Sequence, residues 1–467
     1  MEDLFVSEND AITAVNGIYN VLPEFYQSTM LRLTGLASDD GWTWRNELET
    51  DIFIVEQSFN HSRFAWQDMY TGITRANLVI HSLANVPEWS STELRDASEG
   101  QARFLRALYY FNLVRLFGEV PLIEDVVGNK EDASLPRSSV SDVYSLIKSD
   151  LTNAIALLPI SYSGGVGLEE GRATKYAAQL LKAYVHLEIE EWSDAEALAS
   201  QVIGSGTLLD FADNFNGSNE NGTGSIFEVQ YASLGSGVTA NQNHWYAPPS
   251  FNGDATTLPT DDNLNGTGGG PSSGGGLVQA FEVGDLRKDV TVSTYGIPNF
   301  IDATQPDGSL YFVNKFYNAS VAELGNSSWN VPILRYADAL LVSAEALNES
   351  GYVADGTAFS YLNAIRTNAG LNALTSADLP DQSSFRDAIR QERRVEFAFE
   401  YKRFFDLNRW GILEDRIQPQ LNFLGLNFPS AKASAHPITG KNYYLYPVPD
   451  VEFVNNPVLG DQNPGYD

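Results

Sequence analysis

Apolar side chains recur every three or four positions through most of the first two hundred or so residues, and that spacing predicts a succession of helices. Ala11 to Leu22 is expected as an amphipathic helix after the turn Ser7 to Asp10. Trp66 to Leu83 is expected as a second, with Trp66, Tyr70, Ile73 and Asn77 at i, i+4, i+7 and i+11. From Ala102 to Phe117 the pattern differs: polar side chains occur only at Arg103, Arg106, Asn112 and Arg115, and at about 100° per residue these do not share one face. Such a helix is expected to lie buried among others. It is too short and too arginine-laden to span a membrane. Gly118 and Pro121 stop it and send the chain out extended toward Leu122 and Ile123. Ser139 to Pro159 reads as a further helix.

Two segments that follow read as a pair. Arg172 to Ile189 carries small Ala177 and Ala183 at close-packing positions; a turn with Trp192 leads into a helix with Ala195, Ala199 and Ile203. The arrangement resembles a degenerate tetratricopeptide unit, in which paired helices stack side by side. From about Gly204 to Asn330 the periodicity lapses. Gly, Asn, Ser and Thr rise, short β-like runs appear (SIFEVQYA, DVTVSTYG, LYFVNKFY), and Asn265 to Gly276 is low-complexity loop. Helical spacing returns with Asn330 as expected N-cap, Pro332 in the first turn, Ile333, Ala337, Leu340, Ala344 and Leu347 on one face, and Gly351 as the stop. Another helix is expected from SSFRDAIRQE onward, with Ser384 and Asp387 as a capping box. The expected fold is therefore mainly α: a tetratricopeptide-like scaffold of helical pairs over about 8–204 and 331–411, with a loop-rich, partly β insertion over about 205–330. An extended C-terminal segment over about 412–467 completes one domain. Insertions of this kind carry binding surfaces.

Charge narrows the partners. The 467 residues include 60 acidic and 29 basic side chains, a formal net charge of −31, which repels nucleic acids and strongly anionic polysaccharides. With no cysteine, disulfides, thiolate metal sites and cysteine nucleophiles are excluded. No apolar signal-like stretch opens the sequence. Tyr, Phe and Trp make up 12% of the chain, a surplus that goes mostly to cores and leaves some rings available for stacking.

Catalytic signatures are missing. His61, His81, His186, His244 and His436 are scattered without HExxH spacing, there is no GxSxG elbow, and the Gly-rich run lacks the Gly-Lys-Ser/Thr of a phosphate cradle. DDNLNG (Asp261 to Gly266) opens like a calcium loop, but Ser272 stands where the closing Glu belongs, so a solvated Asn-Gly turn is the simpler reading. Asp387, Arg390, Arg393, Glu396, Glu400 and Arg403 recur at i+3 or i+4 and are expected to brace one helix, as is Arg335 with Asp338. No enzyme activity, cofactor or metal is expected.

Several ordered segments carry a resemblance. RFLRALYYFNLVRLFGEVPLI, ILRYADALLVSAEALNESG, AIRQERRVEFAFEYKRFFDLNRWG and YYLYPVPDVEFVNNPVLGDQNPGY, with LASDD and WQDMYTGITRAN nearer the N-terminus, resemble the SusD/RagB family of outer-membrane lipoproteins of Bacteroidetes. The resemblance spans nearly the whole chain. It implies a non-enzymatic glycan binder at the cell surface, seated on a SusC-like TonB-dependent transporter and anchored by a lipid on an N-terminal cysteine. That cysteine is absent, and the anchor is expected to lie upstream of this sequence.

A neutral glycan offers apolar C–H faces ringed by hydroxyls, so its receptor wants flat aromatic rings beside polar groups. Two stretches supply both. SDDGWTWRNE offers Asp39, Asp40, Trp42, Trp44 and Arg45, and the Trp-x-Trp alternation would send both indoles to one side if extended. NQNHWYAPPS offers Asn243, Trp245 and Tyr246, pinned by two prolines, and Tyr295 lies in a further turn of the insertion. Trp66, at core spacing, is expected to be structural. The acidity favours a neutral glucan, with laminarin-type β-glucan as the leading choice. The competing expectations are a protein-binding adaptor without sugar affinity and a glycoside hydrolase.

Overall fold

Several helix starts in the computed structural model follow side-chain caps. It describes residues 5–43, 48–162, 168–232, 238–247, 254, 257–262, 275–294, 311–319 and 324–466. Ser7 and Asp10 form a capping box for α1 (Glu8–Tyr19). After α2 (Asn60–Ser82), Ser91 caps α3 (Thr92–Phe117), Ser139 caps α4 (Val140–Leu157) and Thr174 caps α5 (Lys175–Glu188), each hydroxyl accepting from a first-turn N–H. Next come α6 (Trp192–Val202) and the short α7 (Gln242–Tyr246). The C-terminal half adds α8 (Tyr336–Ser350), α9 (Thr357–Asn368), α10 (Gln382–Glu396), α11 (Arg403–Arg409), α12 (Leu413–Phe423) and α13 (Asp450–Asn455). Each helix from α1 to α6 packs on the next; α6 then packs on α8, and α8 on α9 and α10. This is the side-by-side stacking of a tetratricopeptide-like fold.

The apolar helix is the inner wall of that stack. Between Ala102 and Phe117 only Arg103 and Arg115 escape full burial. Its buried polar groups bind the neighbouring helices: Arg106 donates from Nε (2.7 Å) and Nη2 (2.7 Å) to Asp150 of α4 and from Nη1 (2.7 Å) to Asn77 of α2. Arg115 lies 3.8 Å and 3.7 Å from the ring centroids of Phe111 and Phe405. Gly118, at φ +71°, ends the helix where a Cβ would sit 2.8 Å from Leu445.

Among the described residues eight short strands, β1 (Gly41–Trp42), β2 (Ser225–Val229), β3 (Leu258–Pro259), β4 (Val292–Ser293), β5 (Phe312–Val313), β6 (Val331–Arg335), β7 (Ala433–Ala435) and β8 (Asn442–Tyr444), form antiparallel pairs β1–β3, β2–β6, β4–β5 and β7–β8. Three expectations are corrected here. Val331–Arg335 is a strand rather than the first turn of α8, because SIFEV pairs with it and Pro332 cannot donate within a helix. The box that starts α10 is Asp381 with Ser384, one turn earlier than expected. The segment after 411 is not simply extended, since it contains α12 and α13.

The charge stripe also changes meaning. Helix α10 stops at Glu396, and Phe399 (φ +61°) and Tyr401 (φ +63°) turn the chain back before α11. Left-handed backbone at two bulky residues is strained. It drives Glu400 into the interior, where it accepts from Lys315 Nζ (2.7 Å) and from Arg335 Nε (2.7 Å) and Nη2 (2.8 Å). Arg335 also reaches Glu396 (2.9 Å), and Arg287 reaches Glu392 (2.6 Å), Glu396 (3.1 Å) and Asp285. Arg393 and Arg409 both grip Asp406, and Arg409 grips Glu345 of α8. The stripe ties separate elements together, and intrahelical bracing is a minor part of what it does.

Candidate functional site

The two stretches read as a binding surface have opposite fates. Strands β1 and β3 pair Gly41 with Pro259 and Trp42 with Leu258, which draws the N-terminal SDDGW turn against the insertion. The Trp42 ring is then enclosed, 3% exposed, with Nε1 donating to the Pro259 carbonyl (3.1 Å). Asp39 and Asp40 are buried as well. Asp39 accepts from Arg403 Nε (2.7 Å) and Nη2 (2.8 Å) and from Arg416 Nε (2.8 Å), and Arg394 donates from Nε to Asp40 (2.6 Å) and from Nη2 to the Asp39 carbonyl (2.8 Å). Burial works against the Asp39 charge, yet Arg394, Arg403 and Arg416 hold its carboxyl well below the usual range. Burial, with Asp39 beside it, pushes Asp40 upward despite Arg394. Asp39, Asp40 and Trp42 are thus corrected from ligand contacts to an internal fastening of the loop, because three arginines from α10 to α12 and a strand partner claim them. Trp44, Arg45 and Tyr295 lie outside the described residues.

At the second stretch the backbone is a helix, and this separates the two rings. Gln242 and Tyr246 sit one turn apart on the inner face of α7. Gln242 Nε2 donates to the Tyr401 hydroxyl (3.3 Å), and Tyr246, 2% exposed, stacks on Phe316 with centroids 5.9 Å apart at 17°. Tyr246 is therefore corrected to a core residue. His244 and Trp245, turned away by the helical period, are only partly buried. Asn243 lies on the same helix, with its side chain outside the described set.

Trp245 sits on a polar bed that the sequence did not announce. The Arg32 guanidinium lies 4.6 Å from its ring centroid, and the His244 imidazole meets it edge-on at 5.0 Å. Arg32 is itself buried, carried by two consecutive π-turns (Phe25–Thr29 and Leu31–Gly35) and donating from Nη1 to Ser28 Oγ (3.0 Å). Wide helical turns of this kind gather at functional sites. His61, at the start of α2, is near enough to feel Arg32; burial first and that cation second bring its pKa down to about 3, so its ring is neutral. The indole Nε1 of Trp245 and Nδ1 of His61 are buried and find no hydrogen-bond partner among the described residues. Arg32 and His61 have no periodic or motif signal, and only the fold brings Arg32 to Trp245 and His61 within electrostatic reach of Arg32.

Two other groups bear on metal binding. Asp262 of the DDNLNG stretch accepts from the backbone N–H groups of Gly275 and Gly276 (3.0–3.1 Å), and Asp261 accepts from Gln279 (2.6 Å). Both carboxylates therefore close a loop. His186, Glu191 and Asp194 converge between α5 and α6, where Lys148 Nζ already reaches both Glu191 oxygens at 3.0 and 3.2 Å.

This helical stack, with its insertion and its half-covered tryptophan, has relatives. A family model described as "SusD family" matches residues 307–466, and one described as "Starch-binding associating with outer membrane" matches residues 15–187. The chain belongs to the SusD/RagB family. A SusD-like protein of Formosa agariphila is 27% identical over 98% of this chain and 92% of its own length. Another from Bacteroides ovatus is 28% identical over 87% of this chain and 76% of its own. Among solved structures, a laminarin-binding SusD-like protein is 25% identical, with a TM-score of 0.78 over 99% of this chain and 100% of that one. A SusD superfamily protein from Bacteroides vulgatus reaches a TM-score of 0.80 at 23% identity over 98% of each chain. No helix among the described residues of this SusD-like chain is long and apolar enough to cross a membrane.

Proposed function

We propose that this SusD-like protein is a non-catalytic glycan receptor of the bacterial outer-membrane surface. It captures a neutral polysaccharide, in our reading a laminarin-type β-glucan, and passes it to a SusC-like TonB-dependent transporter. In this reading a lipid anchor holds it to the membrane. The observation that carries the glycan reading is Trp245: a partly exposed indole over a buried guanidinium, with the His244 imidazole edge-on beside it. A sugar ring laid on the exposed part of that indole would bury its C–H face there. Family membership supports the non-catalytic role, and the laminarin-binding structural relative supports a neutral glucan. Trp44, Arg45, Asn243 and Tyr295 remain proposed ligand contacts.

Affinity gel electrophoresis against laminarin, starch, xyloglucan and mannan tests the reading. Laminarin should retard the wild-type chain, and Trp245→Ala should weaken that retardation by about tenfold or more, the loss of roughly 1.4 kcal/mol or more of stacking. Retardation by none of the four polysaccharides, or steady release of shorter sugars from any of them, would sink it.

A further inference from the structure

A second cleft of about 880 Å³ lies on the helical side, where α2, the chain after α3 and α13 meet. Its volume is that of a site for a small organic ligand. Trp66 and Tyr70 contribute rings 5.1 Å apart. Helix α2 lines it with Gln67, Thr71 and Arg75, all exposed and spaced four residues apart, so that they form one polar stripe. Helix α13 adds the exposed amide of Asn455 and the carboxyl of Glu452, which burial raises above its ordinary pKa. Asn456 donates to the Leu135 carbonyl (2.7 Å), while its own side-chain oxygen is buried and finds no donor among the described residues.

The chemistry of this cleft is that of a carbohydrate site: aromatic carbon at the base, then amides, hydroxyls, one carboxyl and the Arg75 guanidinium around it, the last already donating to the Gly17 carbonyl. Polyanions are disfavoured by the −31 net charge. Its position matters too. His61, within electrostatic reach of the Arg32 that lies under Trp245, stands at the start of α2, and Gln67 to Arg75 follow on that same helix, about 9 to 21 Å further along its axis. We propose that this cleft is a second glycan subsite, which holds another stretch of the neutral polysaccharide bound at Trp245. This rests on the glycan reading above. Two weak sites on one rigid helix raise the affinity for a long chain through effective concentration, with no new contact at either.

The test uses the full chain and whichever of the four polysaccharides retards it. Gln67→Ala with Asn455→Ala alters two exposed side chains and should leave the thermal midpoint unchanged. This double variant should weaken retardation about tenfold, and adding it to Trp245→Ala should remove the retardation that remains. Wild-type retardation that the double variant does not change overturns the subsite alone and leaves the glycan reading standing. If that variant instead loses co-purification with the transporter, the cleft takes a protein segment, and the subsite is equally overturned. No retardation of the wild type by any of the four overturns both.

Discussion

Trp42 and Trp245 are the same residue type in two similar-looking stretches, and their roles are set by what lies one turn or one strand away. Trp42 faces a strand partner and a carbonyl acceptor, so its ring is fixed and enclosed. Its removal is a large-to-small change in a closed core, and Trp42→Ala should destabilise the protein by about 3–5 kcal/mol, visible as a lower thermal midpoint. The folded fraction of that variant should still bind glycan through Trp245. If instead Trp42→Ala keeps the wild-type midpoint and loses only binding, the enclosed ring assigned here is wrong. The sequence suggested aromatic platforms at both places because alternation and neighbouring polar residues look alike in a loop and in a strand. It could not show that α7 is helical through Gln242 to Tyr246, which turns Tyr246 inward and leaves Trp245 out. Nor could it show Arg32 and His61, since nothing in their spacing distinguishes them from scaffold residues.

Helices were legible from periodicity more than from caps. The unusual apolarity of α3 correctly signalled its inner position, although the helix begins ten residues before the expected Ala102, after Ser91, and the two caps expected further on, Asn330 and Ser384 with Asp387, are not the ones used. Legibility failed where a distant partner decided the matter. Val331–Arg335 carries helix-compatible spacing but becomes a strand on meeting β2, and the i+4 charges of α10 reach across the molecule because α11 and the insertion present opposite charges to them. The turn holding Glu400 depends on this network. Against the cost of burial, Arg335 first, then Lys315 and Lys402, bring the Glu400 pKa down to about 2 from an ordinary 4.5. A carboxylate depressed in the folded state stabilises fully above its unfolded pKa, and that stabilisation fades as pH falls from about 4.5 toward 2. Glu400→Gln leaves the buried Lys315 without its carboxylate partner and Arg335 with Glu396 alone, so it should cost about 3–5 kcal/mol at pH 7 in urea unfolding. The gap between variant and wild type should shrink toward pH 3. An equal gap at pH 3 and pH 7 would show that packing, and not the ion pairs, holds the turn.

For the molecule as a whole, the acidic excess and the buried arginine network divide the electrostatics into two compartments. Many of the 29 basic side chains are committed inside: Arg287, Arg335, Arg366, Arg393, Arg394, Arg403 and Arg409 are buried against carboxylates, and the exposed surface is left strongly negative. A charged ligand approaching that surface would feel a field whose range shrinks from about 14 Å at 0.05 M salt to about 4 Å at 0.5 M. A neutral glycan feels almost none of it, since stacking and hydrogen bonding carry its affinity. The dissociation constant for the bound polysaccharide should therefore change by less than about twofold between 0.05 and 0.5 M sodium chloride, measured by isothermal titration calorimetry. The buried pairs are screened far less than surface charges, so the thermal midpoint should not fall across that range, and relief of the surface self-repulsion should raise it. Affinity that rises steeply with salt would mean that the ligand is an anion repelled by this surface, and affinity that falls steeply would mean a cation drawn to it. Either slope would remove the neutral polysaccharide from the reading while leaving the helical scaffold, its ion pairs and the enclosed Trp42 as they stand.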